Sequence, residues 1–152
     1  LQRGIGGVTA SASYAYVDHR VVTNLSTSQQ FQPGQPLLRR PRHAGFVRAS
    51  LVRGRLTLNG DVRIVGDRHD HSFLSLRTVP NAAMPAAMTT DITVNPGYTV
   101  FGAGADITLH ERLTAFVRVA NAGDEDYESA LGYPAMPRSF VAGARVRLGG
   151  TR

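Results

Sequence analysis

The sequence predicts an all-β protein, the wall of an antiparallel up-and-down transmembrane β-barrel. Three observations lead there. Apolar residues recur with period two in six segments of about ten residues each, the spacing of a strand rather than of a helix. One face of these segments carries no charge while the other carries much of it, as a boundary between hydrocarbon and a hydrated lumen requires. The connections alternate long and short, which places all tight turns at one end of a barrel and all large loops at the other.

The first segment, 7–17, reads GVTASASYAYV, with Val8, Ala10, Ala12, Tyr14 and Tyr16 on one face and Thr9, Ser11, Ser13 and Ala15 on the other. A long connection, 18–43, leads to segments 44–53 and 55–66, joined by the tight turn Arg53-Gly54-Arg55. Their uncharged face holds Val47, Ala49, Leu51, Leu56, Leu58, Gly60, Val62 and Ile64; Arg48, Asn59, Asp61 and Arg63 lie opposite. A second long connection, 67–97, precedes segments 98–109 and 112–121, joined at His110-Glu111. There Phe101, Ala103, Ala105, Ile107, Leu109, Leu113, Ala115, Val117 and Val119 oppose Asp106 and Arg118. After a third long connection, 122–138, segment 139–148 sets Phe140, Ala142, Ala144, Val146 and Leu148 against Arg145 and Arg147. Strands of globular proteins average about 5–6 residues, whereas tilted membrane strands need about 9–11. Tyr14, Tyr16, Phe101 and Phe140 fall near the long-loop ends, where an outer aromatic girdle belongs. Six strands do not close a barrel, since small ones need about eight, and open edges are not tolerated in lipid. The expectation is therefore a fragment of a larger barrel.

Composition narrows the alternatives. The 152 residues include 16 Gly and no Trp, and the apolar share is 42%, a little low for a packed globule. With no Cys, neither disulfides nor thiolate metal sites are available. The chain opens at Leu1 without a charged-then-apolar leader, so the expectation is that an N-terminal part is missing or removed. The net charge of +6 comes entirely from Arg. A nucleic-acid surface would cluster those charges on one face with interleaved aromatics; here they are scattered apart from Arg39, Arg40 and Arg42, and no nucleic-acid partner is expected.

Short motifs point to little chemistry. His69-Asp70-His71 places two imidazoles on one side of an extended segment, a pairing that suits zinc, copper or nickel, but without a third ligand it reads as a solvated loop. The run 124–128 superficially resembles a calcium loop, yet Ser129 stands where Gly is needed at position six and Ala135 at position twelve. Gly102-Ala-Gly104-Ala lacks the third glycine and the helix of a dinucleotide fingerprint, and reads as small residues on a packed strand. His43, His69, His71 and His110 all fall at loops or turns, so no catalytic base in a dry pocket is expected, no cofactor, and no enzyme. Asp61, Arg63, Asp106, Arg118 and Arg145 read as a salt-bridged lining, and Asn121 and Asp124 as turn residues that bond their own backbone.

The last third resembles the C-terminal signature of TonB-dependent outer-membrane receptors. The similarity runs from Pro96-Gly97-Tyr98-Thr99 through LTAFVRVANAGDEDYE at 113–128, where Asn121, Asp124, Asp126 and Tyr127 fit and Ala122-Gly123 replace a bulkier pair. Gly132-Tyr133-Pro134 and Arg138-Ser139-Phe140 resemble the family's last loop and the opening of its final strand, with Pro137 where Gly is usual. Upstream, GQPLLRRPRH (34–43) and DVRIVGDRHD (61–70) also look like family segments, and PLLRRP, VGDRHD and ESALGYPAMPR resemble cobalamin-type and siderophore receptors. One departure is the Gly-Gly-Thr-Arg ending, where an aromatic residue is usual.

The resemblance implies that 1–152 is the C-terminal six-stranded portion of a 22-stranded barrel whose plug is absent from this sequence. It implies an outer-membrane protein that captures a metal chelate, cobalamin or a ferric siderophore, for import driven by TonB. The expected partners are outer-membrane lipid, that chelate, the plug and remaining barrel, and TonB through the absent N-terminal part. The family-motif positions are Asn121, Asp124, Tyr127, Gly132, Tyr133 and Arg138; from position in the loops, substrate contacts are expected at Arg77, Tyr133 and Met136. Two rivals remain at this point: a passive porin-like barrel, and a soluble basic β-sandwich binding module.

Overall fold

A computed structural model describes residues 7–25, 32–72 and 91–148. Among the described residues there are ten strands: β1 (Gly7–Tyr16), β2 (His43–Arg53), β3 (Leu56–Val65), β4 (Arg68–Ser72), β5 (Asp91–Asn95), β6 (Tyr98–His110), β7 (Leu113–Ala120), β8 (Glu128–Ala130), β9 (Tyr133–Pro134) and β10 (Ser139–Val146). The six long ones form one antiparallel sheet in the order β1-β2-β3-β6-β7-β10, each strand beside its predecessor among the long strands. They coincide with the six expected segments to within one or two residues at most ends. Two short hairpins, β4-β5 and β8-β9, rise from the second and third long connections. The sequence reading left both as loop, because strands of two to five residues are too short to establish a period.

Register decides whether the two faces hold together across strands, since a slip of one residue would turn a whole strand over. None slips. Val47 of β2 lies between Ala12 of β1 and Val62 of β3, and Val62 pairs in turn with Phe101 of β6. Ladders Leu51–Leu58–Ala105–Val117–Ala142 and Ala49–Gly60–Ala103–Val119–Phe140 run without interruption from β2 to β10. On the opposite face Arg48 pairs with Asp61, and Asp61 with Gly102. The single irregularity between long strands lies between Thr108 and His110 of β6, where Leu109 is the additional residue just before the Glu111-Arg112 turn. Bulges at barrel rims commonly re-aim a strand as pairing ends.

Among the described residues no apolar side chain is fully buried, and the four that are buried are polar: Arg68, Asp70, Asn95 and Asn121. A sheet one layer thick has no interior of its own. Its apolar face, including Val47, Leu51, Leu58, Phe101, Val117 and Phe140, is open to the surroundings, as a lipid-facing wall would be. The outer girdle is richer than expected. His43, read from the sequence as a loop residue, begins β2 directly opposite Tyr16. Its ring lies 5.1 Å from that of Tyr16, and Nδ1 is 2.7 Å from the Tyr14 hydroxyl.

The glycines of β6 have a packing role. A Cβ on Gly104 would come within 2.5 Å of Arg118 Cδ, and one on Gly102 within 2.8 Å of an Asp61 carboxylate oxygen. The two charged side chains therefore lie flat along the wall, in space that only glycine leaves open.

Insertion of charge should separate the faces. Val47→Arg, on the apolar ladder, is expected to cost about 2–4 kcal/mol, and Asn59→Arg, on the charged face, under about 1 kcal/mol. Urea titration of the full-length barrel folding into lipid vesicles measures both; equal losses would contradict the assignment of faces.

Candidate functional site in the outer loops and lumenal wall

Chemistry-bearing side chains concentrate in two places, the charged face of the sheet and the loops at its long-connection end. On the charged face Arg118 of β7 reaches across to Asp106 of β6, with Nη2 at 2.8 and 2.7 Å from the two carboxylate oxygens. Its Nη1 donates to the carbonyls of Ala105 and Val117 at 3.0 and 2.9 Å. Asn59 adds a 3.3 Å hydrogen bond to Asp106. The guanidinium groups of Arg118 and Arg145 sit 5.6 and 5.8 Å from the centre of the Phe116 ring, within cation–π range. The Asp106–Arg118 pairing agrees with the salt-bridged lining read from the sequence. Above it a concavity of about 430 Å³ is bordered by Arg48, Asp61, Arg63, Asn121, Tyr127 and Met136.

At the loop end, β4 presents its two faces differently, as alternation demands. Asp70 has 0% exposure. Its Oδ1 accepts from Arg39 Nε and from the His71 backbone N–H, both at 2.8 Å, and its Oδ2 accepts from the Leu131 backbone N–H at 2.8 Å. The Arg39 backbone N–H donates to the His69 carbonyl at 2.7 Å. Two residues before Asp70, the buried Arg68 donates to the carbonyls of Pro96 and Glu128, and stands 5.4 Å from the centre of the Tyr98 ring. Asn95 adds a 3.3 Å bond to the Glu128 carbonyl. Expectation and structure part here: Asp70 was read as part of a solvated loop, yet it is among the most buried residues of the described chain. It also points away from its flanking histidines and toward Arg39, so it does not join them as a ligand.

Burial works against the charged form of Asp70. The hydrogen bonds from Arg39, Leu131 and His71, with the charge of Arg39, outweigh it and hold the carboxyl below the ordinary carboxylate range. The same hydrogen bond and the carboxylate charge raise Arg39.

The residues that carry the sequence resemblance build the turn after β7 and the hairpin beyond it. Asn121, 4% exposed, holds a left-handed φ of 50°. Its Oδ1 accepts from the Glu125 N–H at 2.9 Å, and its Nδ2 donates to the Glu125 and Met136 carbonyls at 2.8 and 3.3 Å. Asp124, with φ 56°, accepts the Arg138 N–H at 2.8 Å, and its other oxygen lies 3.6 Å from Arg138 Nη2. Tyr127 stacks on Tyr98 with ring centres 4.0 Å apart. Gly132, with φ 83°, turns the β8-β9 hairpin and donates to Glu128 Oε2 at 2.8 Å. Asn121, Asp124 and Arg138 thus serve the backbone of the loop. Tyr133 and Met136, 63% and 73% exposed, are free to meet a ligand; Arg77 lies outside the described residues. The sequence reading missed Arg39, Arg68 and Asn95. Segments PLLRRP and VGDRHD drew attention for their resemblance, but nothing in their spacing shows that they meet.

No family model matches the chain, and no curated protein matches it. Solved structures do. The closed form of the ferric-catecholate import receptor Fiu from Escherichia coli K12 superposes on 91% of the chain with a TM-score of 0.68 at 19% identity. FpvA of Pseudomonas aeruginosa, in a complex with a heterologous pyoverdine and iron, covers 92% with a TM-score of 0.66 at 16% identity. The chain has a TonB-dependent receptor-like fold. This receptor-like wall spans 18% of the length of Fiu and 17% of that of FpvA.

Two outcomes test the loop anatomy. Asn121→Ala loses all three bonds, and Asn121→Asp keeps the acceptor but turns a buried carboxylate oxygen toward the Glu125 and Met136 carbonyls; costs of about 2–3 kcal/mol for Ala and about 3–5 kcal/mol for Asp at neutral pH are expected, read from urea midpoints. For Asp70 the folded pKa is depressed. Its stabilising contribution is complete above the ordinary carboxylate value of about 3.9, and is lost as pH falls through the lower folded value. Pepsin cleavage within 18–42 and 121–138, normalised to an unfolded substrate, should therefore rise only below about pH 4, and Asp70→Asn should show the raised cleavage at pH 5 as well.

Proposed function

We propose that residues 1–152 are the C-terminal barrel portion of an outer-membrane TonB-dependent receptor that imports a ferric chelate. The observation that carries this reading is the match over nine-tenths of the chain to two receptors, one a ferric-catecholate import receptor and the other bound to a pyoverdine and iron. The apolar ladders and the aromatic cluster at Tyr14, Tyr16 and His43 support a place in the outer membrane. Between the two cargo classes suggested by the sequence, both structural likenesses favour a siderophore over cobalamin.

In this reading the role of the chain is to bind, line and support, without covalent chemistry. The missing strands close the barrel against β1 and β10, each of which pairs with one strand among the described residues. The plug packs against the face that carries Asp106 and Arg118, where charges laid flat over Gly102 and Gly104 leave the lumen clear. TonB acts on that plug, and Tyr133, Met136 and Arg77 meet the chelate outside.

Deleting the reading frame in its host should abolish uptake of radiolabelled iron supplied as a ferric catecholate or a ferric pyoverdine, and a protonophore should have the same effect on the intact strain. Uptake that persists without a proton gradient would favour a passive pore. Tyr133→Ala combined with Met136→Ala should weaken chelate binding about tenfold, equivalent to about 1.4 kcal/mol, with unchanged amounts of receptor in the outer membrane.

A further inference from the structure

We propose that Asp70 is a positioning residue that locks the described parts of the three outer connections into a single rigid platform, so that the segment bearing Tyr133 and Met136 moves only together with residues 18–25 and 32–42 of the first. The inference rests on how this carboxylate is shared. It projects from β4, in the middle connection, and its two oxygens are claimed from opposite directions: Oδ1 by Arg39 of the first connection, 31 residues away, and Oδ2 by the Leu131 N–H of the third, 61 residues away. No donor in this set comes from the barrel strands.

Each side of the junction is reinforced. Arg39 is held at φ 59°, a region sparsely used by residues other than glycine, and is fixed there by its backbone bond to His69 as well as by its side chain. On the other side Arg68, on the same face of β4 as Asp70, donates to the Glu128 carbonyl. The Glu128 carboxylate in turn accepts the Gly132 N–H. The third connection is thereby gripped at 128, where β8 begins, and at 131, in the turn that leads to Tyr133. A buried carboxylate left without its partners is strongly unfavourable, so separating the connections means losing all of these bonds together or exposing the group to water. Loops secured one at a time could drift independently; loops that share one buried carboxylate cannot.

Spin-label distances test this without any ligand, so the outcome is independent of the uptake reading. The chain has no cysteine, and exposed positions are available in each part. Val22→Cys with Met136→Cys reports across the platform, Val94→Cys with Tyr133→Cys reports the junction of β5 with the last loop, and Val8→Cys with Val146→Cys reports the sheet. In the full-length receptor in lipid nanodiscs, with any cysteine outside these 152 residues replaced, all three distance distributions should be narrow. Asp70→Asn, nearly isosteric, should broaden the first two about twofold or more, as expected when loops open locally while the strands stay folded, and leave the third unchanged. Arg39→Gln should broaden only the first. The proposal is overturned if Asp70→Asn leaves the 22–136 distribution narrow, if it broadens the sheet pair equally, or if Arg39→Gln loosens the 94–133 pair as much as Asp70→Asn does.

Discussion

A wall one strand thick must satisfy every backbone N–H and C=O within its own plane, because neither hydrocarbon nor a packed core supplies partners. The rest of the structure depends on that constraint. It demands long strands in unbroken antiparallel register, and once the register is set every side chain belongs to one of two surroundings. The ladder from Leu51 to Ala142 and the facing pair Asp106–Arg118 are two consequences of one alignment. A single-residue slip in β2, β3, β7 or β10 would carry arginine into the apolar ladder, and one in β6 would carry Asp106 there, and in this way the segregation of charge itself protects the register.

The same constraint explains where the polar groups are buried. Within the span of the sheet the described residues supply no second layer to enclose anything. Enclosure begins only where the connections fold over one another, and there the buried side chains are Arg68, Asp70, Asn95 and Asn121. Buried polar groups are retained when their hydrogen bonds are met: Arg68, Asp70 and Asn95 find partners in other connections, and Asn121 ties together the two ends of its own. The outer loops are thus held by a polar network where a soluble domain would use an apolar core. Such a network is directional, and it specifies one arrangement of the loops more narrowly than apolar contact would.

The turn after β7 shows how local and distant requirements coincide. Asn121 and Asp124 adopt left-handed backbone conformations that their short polar side chains tolerate well, and the same side chains fasten residues 125 and 138. The resemblance to receptor motifs, concentrated in Asn121, Asp124, Tyr127 and Arg138, marks the segment that closes the last loop over the stacked Tyr98–Tyr127 pair. Tyr133 and Met136 are left exposed beside it.

What the sequence by itself determined is the wall: six strands, their alternating faces and the long-short rhythm of their connections. These follow from period-two patterning and strand length, which are local properties, and they were legible to within one or two residues at most strand ends. Asp106 with Arg118 was legible for the same reason, because adjacent strands joined by a tight turn bring predictable positions together. The loop platform was not. Arg39, Asp70 and Leu131 are separated by 31 and 61 residues and joined through connections without periodicity. The tripeptide His69-Asp70-His71 suggested chemistry at the histidines, and only the tertiary structure shows that the group between them turns inward. No local pattern encodes that meeting, since it depends on how three long connections fold over the end of a sheet whose register must already be in place.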